Sequence, residues 1–180
     1  MSRVILNTKV NTSGIEKLNT SQKFFIASSH QSMFETFAYN YFIPNGFFIL
    51  KKELMNIPLF GLYLKKLNCV SIDRGKTTKE NLNFSDKVIN NINNGKTLII
   101  FPQGTRVPHN ERAPIKKGVR RIYENLKISC LPIKLNTGKV WPKNSFLKYP
   151  GEINFIFKDI IEPNLTGDDF IKALEFALYE

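Results

Sequence analysis

Short apolar runs bounded by polar or turn-forming residues recur along the whole chain and predict β-strands. At positions 97–101 the run TLIIF is continuous, which is typical of a strand buried on both faces. The predicted strands are Lys23–Ala27, Phe47–Leu50, Val70–Ile72, Thr97–Phe101, Ser129–Leu135 and Ile153–Phe157.

Between these runs, apolar residues recur at the spacing of amphipathic helices. Ser32 is the predicted start of the first helix, and the turn residues Pro44 to Gly46 end it. Strands that alternate with helices predict an α/β fold with a central, mostly parallel or mixed sheet flanked by helices. The chain length suits a single domain, residues 1–180. The predicted helices are Gln31–Tyr41, Ile57–Leu67, Lys79–Asn93, Lys117–Leu126 and Asp168–Tyr179.

Three predicted strands run directly into polar or glycine-containing segments. These segments are SSH at 28–30, DRG at 73–75 and PQGTR at 102–106. Because sites in α/β sheets gather at the strand ends, the pattern predicts one pocket with a histidine and two arginines.

The net charge of +11, from 26 basic and 15 acidic side chains, favours an anionic partner such as a membrane or a phosphorylated ligand. A solvated basic surface is the alternative. The basic residues are dispersed and match no nucleic-acid motif, so no nucleic-acid partner is expected.

Cys69 and Cys130 lie far apart, which argues against a disulfide framework or a zinc site and fits a reducing compartment. Residues 1–23 are polar and do not resemble a signal peptide. No apolar run approaches the roughly 18–20 residues needed to span a bilayer. The chain is therefore expected to lack a transmembrane segment and to be soluble or peripheral.

His30 is one of only two histidines, and Glu35 follows five positions later. A neutral imidazole is the natural general base near neutral pH, and a carboxylate can orient it. Five residues of a regular helix turn through about 500°, so the pair meets only if His30 precedes the helix. Alternatively, Ser32 and Glu35 form a capping box and His30 is an ordinary turn residue.

Four segments carry a resemblance to a known family. They are HQSMFET at 30–36, SIDR at 71–74, FPQGTR at 101–106, and LPI at 131–133 with NTG at 136–138 and WP at 141–142. In this order, they resemble the H-x4-D box, the I-D-R block, the F-P-E-G-T-R block and the V-P-I-x-x-N-x-G block of the 1-acylglycerol-3-phosphate acyltransferases. The resemblance covers about residues 12–165 and implies the glycerol-3-phosphate acyltransferase-like fold.

The resemblance implies that His30 removes a proton from the acceptor hydroxyl while Glu35 orients the ring. The hydroxyl then attacks an acyl thioester directly, with acyl-CoA or acyl carrier protein as donor. This reaction requires no metal and no cofactor beyond that co-substrate.

The resemblance also implies a site for the acceptor's phosphate group. Arg74 and Arg106 match the family's phosphate ligands, and a guanidinium fork suits that geometry. Gln103, Gly104 and Thr105 belong to the same proposed site. Lys116, before the predicted helix at Lys117, adds a weaker candidate, with a solvated basic turn as the alternative.

Two features depart from the family pattern. Gln103 stands where glutamate is usual, which keeps the shape but removes a charge. The family's N-terminal membrane-anchoring helices are not expected here, because the resemblance starts near residue 12.

Phe47–Leu67 interleaves apolar residues with lysines, so it is either an interfacial face on an anionic membrane or mainly core. His109 is expected in a solvent-exposed loop.

The expected reaction is acylation of 1-acylglycerol-3-phosphate to phosphatidic acid by a peripheral protein on the cytoplasmic face of a membrane. One alternative is the same chemistry on another lysolipid acceptor. Another is a weakly active or inactive relative that binds lipid.

Overall fold

A computed structural model describes residues 7–72 and 84–180 of the chain. Within these ranges, seven strands form one sheet in the order β1-β7-β6-β2-β5-β3-β4. All neighbouring strands are parallel except β6 and β7, which are antiparallel. The strands are β1 Thr8–Ser13, β2 Phe24–Ser28, β3 Gly46–Lys51, β4 Val70–Ile72, β5 Thr97–Ile100, β6 Ser129–Leu135 and β7 Gly151–Phe157.

The helices of the described ranges pack on both faces of this sheet. They are α1 Phe34–Phe42, α2 Phe60–Lys66, α3 Phe84–Asn93, α4 Lys117–Leu126, α5 Thr137–Val140 and α6 Gly167–Tyr179, with short 3-10 helices at Ile15–Asn19 and Lys52–Asn56. Buried residues of α3, α4 and α6 share one apolar cluster, and those of α1 and α2 share another. The predicted fold class, α/β with a mixed sheet between helices, is confirmed.

The central strands alternate between the two apolar clusters. In β5, Leu98 and Ile100 belong to the α3–α4–α6 cluster, whereas Ile99 belongs to the α1–α2 cluster. All three are almost fully buried. Successive side chains of a strand point to opposite faces, so a strand covered on both sides needs apolar residues throughout. This explains the continuous run in the sequence.

The structure corrects two boundaries and adds one strand. The first helix begins at Phe34 rather than Gln31, because residues 30–33 form the turn that leads into it. The second begins at Phe60, after Leu59 with a φ of 62°. β1 was not predicted because it is a polar edge strand in which only Thr8 is buried. The predicted helix start at Lys79 lies outside the described residues.

In the described part of the chain, no helix combines the length and the apolar character needed to cross a membrane. Cys69 and Cys130 are both buried as free thiols. The extent of the domain over residues 1–180 stays a prediction.

Candidate active site

The carboxyl ends of β2, β5 and β6 lie side by side at one edge of the sheet. β2 pairs in parallel with β5 on one side and with β6 on the other. The residues that follow these strands therefore converge: His30 after β2, Arg106 after β5 and Thr137 after β6. This edge is where ligands of parallel α/β sheets bind.

Glu35 is the polar centre of this edge. Its side chain has no solvent exposure. Its Oε1 accepts hydrogen bonds from the backbone N–H groups of Gln31 (2.6 Å) and Ser32 (2.8 Å), and lies 3.1 Å from His30 Nδ1. Its Oε2 accepts from Thr137 Oγ1 at 2.9 Å. A buried carboxylate is stable only when its oxygens are bonded in this way.

The two interpretations of the His30–Glu35 spacing are therefore compatible. Half of the capping box is present: the Ser32 amide donates to Glu35, whereas the Ser32 hydroxyl accepts from Phe34 N, and His30 bonds to the same Glu35 oxygen from the preceding turn. The geometric expectation that His30 precedes the helix is confirmed.

The Glu35 contact sets the hydrogen-bonding state of the His30 ring. Oε1 already accepts two backbone hydrogen bonds, so it acts as an acceptor toward Nδ1 as well. The imidazole then donates from Nδ1 and keeps Nε2 as its acceptor nitrogen. The ring stacks on Phe101 with the centroids 3.9 Å apart, and its side chain is 17% exposed. His30 is thus held on two sides while part of its edge stays accessible.

Two residues that the sequence analysis did not assign complete this arrangement. The Gln31 side chain donates to Leu135 O (2.9 Å) and accepts from Gly138 N (3.1 Å), which ties the His30 turn to the end of β6. A Cβ atom at Gly138 would lie 3.1 Å from Gln31 Cβ, so the glycine permits this approach. Thr137 supplies the bond to Glu35 Oε2. Gln31 lies in the HQSMFET segment and Thr137 in the NTG segment, which pattern alone did not connect.

We expect Thr137→Val to lower the free energy of unfolding by about 1–3 kcal/mol, because it removes the hydroxyl donor and leaves a buried carboxylate oxygen without its partner. Chemical denaturation of the variant against the parent measures this. Thr12→Val, at an exposed position of β1, is the matched control and should change stability little. Equal stability of Thr137→Val and the parent would contradict the assigned bond.

A cavity of about 240 Å³ opens beside His30 and brings several predicted residues together. His30, Gly104, Thr105 and Arg106 line its polar side. Its other wall is mainly apolar and includes Phe48, Leu50, Leu54, Phe60, Tyr63 and Leu64. A single space thus offers a potential base, a guanidinium and an apolar wall.

The loop after β5 shapes the polar side of this cavity. Gly104 has a φ of 69° and donates its N–H to Phe101 O at 2.9 Å, which closes a tight turn that favours glycine. Arg106 is half-buried, and its carbonyl accepts a hydrogen bond from Lys143 Nζ at 2.9 Å. Val107 N donates to His30 O at 2.7 Å, so this loop and the His30 turn are joined directly.

Two other predicted site residues do not line the cavity that contains Arg106. Gln103 is buried, its Nε2 lies 3.4 Å from Tyr179 OH, and its Oε1 has no hydrogen-bond partner among the described residues. It lines a small second cavity together with His30 and with His109, which lies in an exposed turn. Lys116 is exposed before α4 and lines a larger cavity of about 630 Å³, which shares Phe101 and Gly104 with the first. Arg74 lies outside the described residues.

Tyr39 is a buried neighbour of Ser28 and Glu35. Burial raises the pKa of its hydroxyl far above the ordinary value; the hydrogen bond with Ser28 lowers it only partly, and the nearby Glu35 raises it further. Tyr39 therefore stays neutral and carries no charge into the surroundings of Glu35.

Among the described residues, no three His, Cys, Asp or Glu side chains cluster as a metal site would. The expected independence from metals and cofactors stays a prediction.

Comparison with known proteins agrees with this geometry. The model of the acyltransferase family matches residues 9–136, which include the His30 turn, the loop after β5 and Asn136. The chain belongs to the acyltransferase family. The resemblance inferred from the four sequence segments is thereby confirmed.

Several members of the family are similar over most of this chain. The 1-acyl-sn-glycerol-3-phosphate acyltransferase of Pseudomonas aeruginosa is 31% identical over 174 residues, which cover 97% of this chain and 67% of that protein. The Saccharomyces cerevisiae enzyme of the same name is 30% identical, with 97% of this chain and 58% of that protein covered. The crystal structure of the 1-acyl-sn-glycerophosphate (LPA) acyltransferase PlsC from Thermotoga maritima superposes with a TM-score of 0.81 at 26% identity, and 97% of this chain and 71% of that chain are covered. The chain thus spans about half to two thirds of the length of such relatives.

Proposed function

We propose that this acyltransferase moves an acyl chain from an acyl thioester to the free hydroxyl of 1-acylglycerol-3-phosphate, which yields phosphatidic acid. The observation that carries the proposal is the His30–Glu35 pair beside a cavity that also contains Arg106. Relatives named 1-acyl-sn-glycerol-3-phosphate acyltransferase support the choice of acceptor.

The reaction proceeds in one displacement assisted by general-base catalysis. Nε2 of His30 takes the proton of the acceptor hydroxyl while that oxygen attacks the thioester carbonyl carbon. A new C–O ester bond forms, the C–S bond breaks, and the proton passes to the departing thiolate. Glu35 holds the Nδ1–H and stabilises the imidazolium between these events.

The acceptor's phosphate is bound at the polar side of the cavity. Arg106 offers a planar fork of donors to phosphate oxygens, and the exposed Thr105 adds a hydroxyl at the rim. Arg74 remains the second proposed guanidinium, and Lys116 is a peripheral contributor next to the larger cavity. Gln103 lines the smaller cavity next to His30 rather than the one that contains Arg106, so its side chain borders the proposed base and not the proposed phosphate site.

The exposed apolar residues of α2 and of the segment before it offer a surface to acyl chains and to a membrane. Phe47, Phe48 and Leu50 are core residues, as the alternative interpretation of Phe47–Leu67 required. Leu59 and Leu62 are instead 80% and 65% exposed. Lys51, Lys52, Lys65 and Lys66 surround them as exposed cations. We propose that this face rests on an anionic bilayer, which places the enzyme peripherally at a membrane.

Thiol release tests the function and identifies the donor. The purified protein is mixed with one of two donors, acyl-CoA or acyl carrier protein loaded with an acyl chain. The acceptor is lysophosphatidate, or lysophosphatidylcholine as the competing acceptor. Release that depends on lysophosphatidate and yields phosphatidic acid supports the proposal. Release only with the other acceptor would change the substrate, and no release from folded protein that binds lipid would favour a lipid-binding relative.

We expect Arg106→Ala to lower kcat/KM for lysophosphatidate by about 10- to 100-fold, mainly through a higher KM, because a charge-assisted hydrogen bond contributes about 1.5–3 kcal/mol. Initial rates at varied acceptor concentration measure the effect. Arg120→Ala removes an arginine that pairs with Glu124 and Asp168 instead, and it should leave both constants unchanged. An unchanged KM in Arg106→Ala would remove Arg106 from the phosphate site.

A further inference from the structure

The segment between α5 and β7 exposes large apolar side chains that the fold does not bury. Phe146 is fully exposed, Leu147 is 67% exposed and Tyr149 is 48% exposed. The backbone around them is held in place, since Tyr149 N donates to Val140 O at 2.9 Å and Leu147 N donates to Ser145 Oγ at 3.1 Å. Three neighbouring apolar side chains on an ordered, solvent-facing segment mark an interaction surface.

This segment adjoins the mouth of the cavity that contains His30. Lys143 Nζ bonds to the carbonyl of Arg106, which lines that cavity. Lys148 lies over the ring of Trp141, with Nζ 5.1 Å from the ring centroid. Trp141 in turn contacts Phe34 at the start of α1, with the ring centroids 5.8 Å apart.

Helix α1 extends the same surface toward α2. Met33, Phe37 and Tyr41 are all exposed, and a four-residue spacing places them in one stripe along the helix. On one side of this stripe, Phe34 contacts Trp141; on the other, Asn40 Nδ2 bonds to Tyr63 OH of α2. Beyond this contact, the α2 region exposes Leu59 and Leu62.

The charges of this surface suit an anionic partner. Residues 136–151 contain Lys139, Lys143 and Lys148 and no acidic residue. The only acidic residue of α1 is Glu35, which is buried. Glu53, near α2, and Glu152, directly after the segment, are exposed acidic residues, and Glu152 pairs with Lys9. Bulky apolar and aromatic side chains with lysines around them are typical of a protein surface in the interfacial layer of a membrane.

We propose that Phe146, Leu147 and Tyr149 insert into the surface of an anionic bilayer and, with the stripe on α1, form a second membrane contact across the cavity mouth from the α2 face. This inference rests on the proposed function, in which the acceptor and the product are membrane lipids. The two contacts flank the cavity mouth, so the mouth faces the bilayer and a lysolipid enters without crossing water.

Vesicle binding tests the proposal with a matched control. Sedimentation with mixed phosphatidylglycerol–phosphatidylcholine vesicles compares the parent, the double variant Phe146→Ser/Leu147→Ser, and Phe176→Ser. Phe176 is 69% exposed but lies on α6, which packs on the opposite face of the sheet. We expect the double variant to bind about tenfold more weakly or worse, and Phe176→Ser to bind as the parent does. Parent-like binding by the double variant, or an equal loss in Phe176→Ser, would overturn the proposal.

The parent protein offers a second measurement, since Trp141 is its only tryptophan. Emission from Trp141 should shift to shorter wavelength when the vesicles are added, and lipids with brominated acyl chains should quench it. Emission unaffected by both additions would place the segment away from the bilayer and overturn the proposal. Higher salt should weaken the binding, because the lysine contribution is screened.

Two acceptor forms separate this inference from the proposed function. With a short-chain lysophosphatidate dissolved as monomers, the double variant should match the parent, because Phe146 and Leu147 do not line the cavity that contains His30. With the long-chain acceptor in vesicles, its rate should fall with its binding. A parent that acylates neither form contradicts the proposed function, and the vesicle data still decide the membrane contact. A lower rate of the double variant on the monomeric acceptor would contradict a membrane role.

Discussion

His30→Ala is expected to lower kcat for acyl transfer by about 10²- to 10⁴-fold, the usual contribution of a general base. The physical reason is that an alcohol is a poor nucleophile until its proton is removed, and His30 is the only histidine beside the cavity with Arg106. The His30 ring lies at the surface of the site, stacked on Phe101, rather than within the core. We therefore expect the variant to stay folded, with a similar KM for lysophosphatidate.

His109→Ala is the matched control, because His109 is the other histidine of the chain, lies in an exposed turn and does not line the cavity that contains Arg106. Its rate should equal that of the parent. Circular dichroism and thermal unfolding establish that both variants are folded. A folded His30→Ala protein with the parent's kcat would refute the general-base mechanism, while the same loss in both variants would point to an indirect effect.

Replacement of Glu35 is expected to affect both rate and stability. Glu35→Gln keeps the shape of the side chain but replaces one acceptor oxygen with an amide nitrogen, which cannot accept a hydrogen bond. That nitrogen faces either the Thr137 hydroxyl or the N–H donors of Gln31, Ser32 and His30. Neutralising the carboxylate that orients a catalytic histidine costs up to about 10⁴-fold in kcat, because the tautomer is no longer fixed and the imidazolium loses its counter-charge. We expect a loss of about 10²-fold or more in kcat with little change in KM.

Glu35→Ala should be less stable than the parent by about 3–5 kcal/mol, since it leaves several buried donors without an acceptor, each costing about 1–3 kcal/mol. Urea unfolding and steady-state kinetics on the same samples separate the two roles. A variant that loses stability but keeps kcat would make Glu35 a helix cap alone. A variant that keeps stability would contradict the buried hydrogen bonds, because three of them link the His30 turn to Glu35 and one reaches Thr137 at the start of α5.

Local sequence pattern was sufficient for much of the site. The position of His30 before a helix and the S-x-x-E spacing both act within seven residues, so helix geometry limited how His30 and Glu35 could meet, and the family resemblance implied that they pair. The convergence of His30 with the loop at 101–106 followed from the parallel arrangement of β2 and β5. The start of α1 was placed three residues too early, because the Glu35 side chain organises that turn and periodicity does not register it.

The amino-acid sequence by itself determined the α/β class and most strands and helices, because periodicity and spacing are local properties of the chain, and its motifs supplied the candidate catalytic residues through the family resemblance. Only the tertiary structure decided that Thr137, 102 residues from Glu35, bonds to its carboxylate, and that Phe101 supports the His30 ring. It also placed Gln103 outside the cavity that contains Arg106, in a smaller cavity that His30 also lines, and left Phe146 exposed. These outcomes depend on which strands become neighbours in the sheet and on which side chains the packed helices cover, and both are set by contacts between segments distant in the chain.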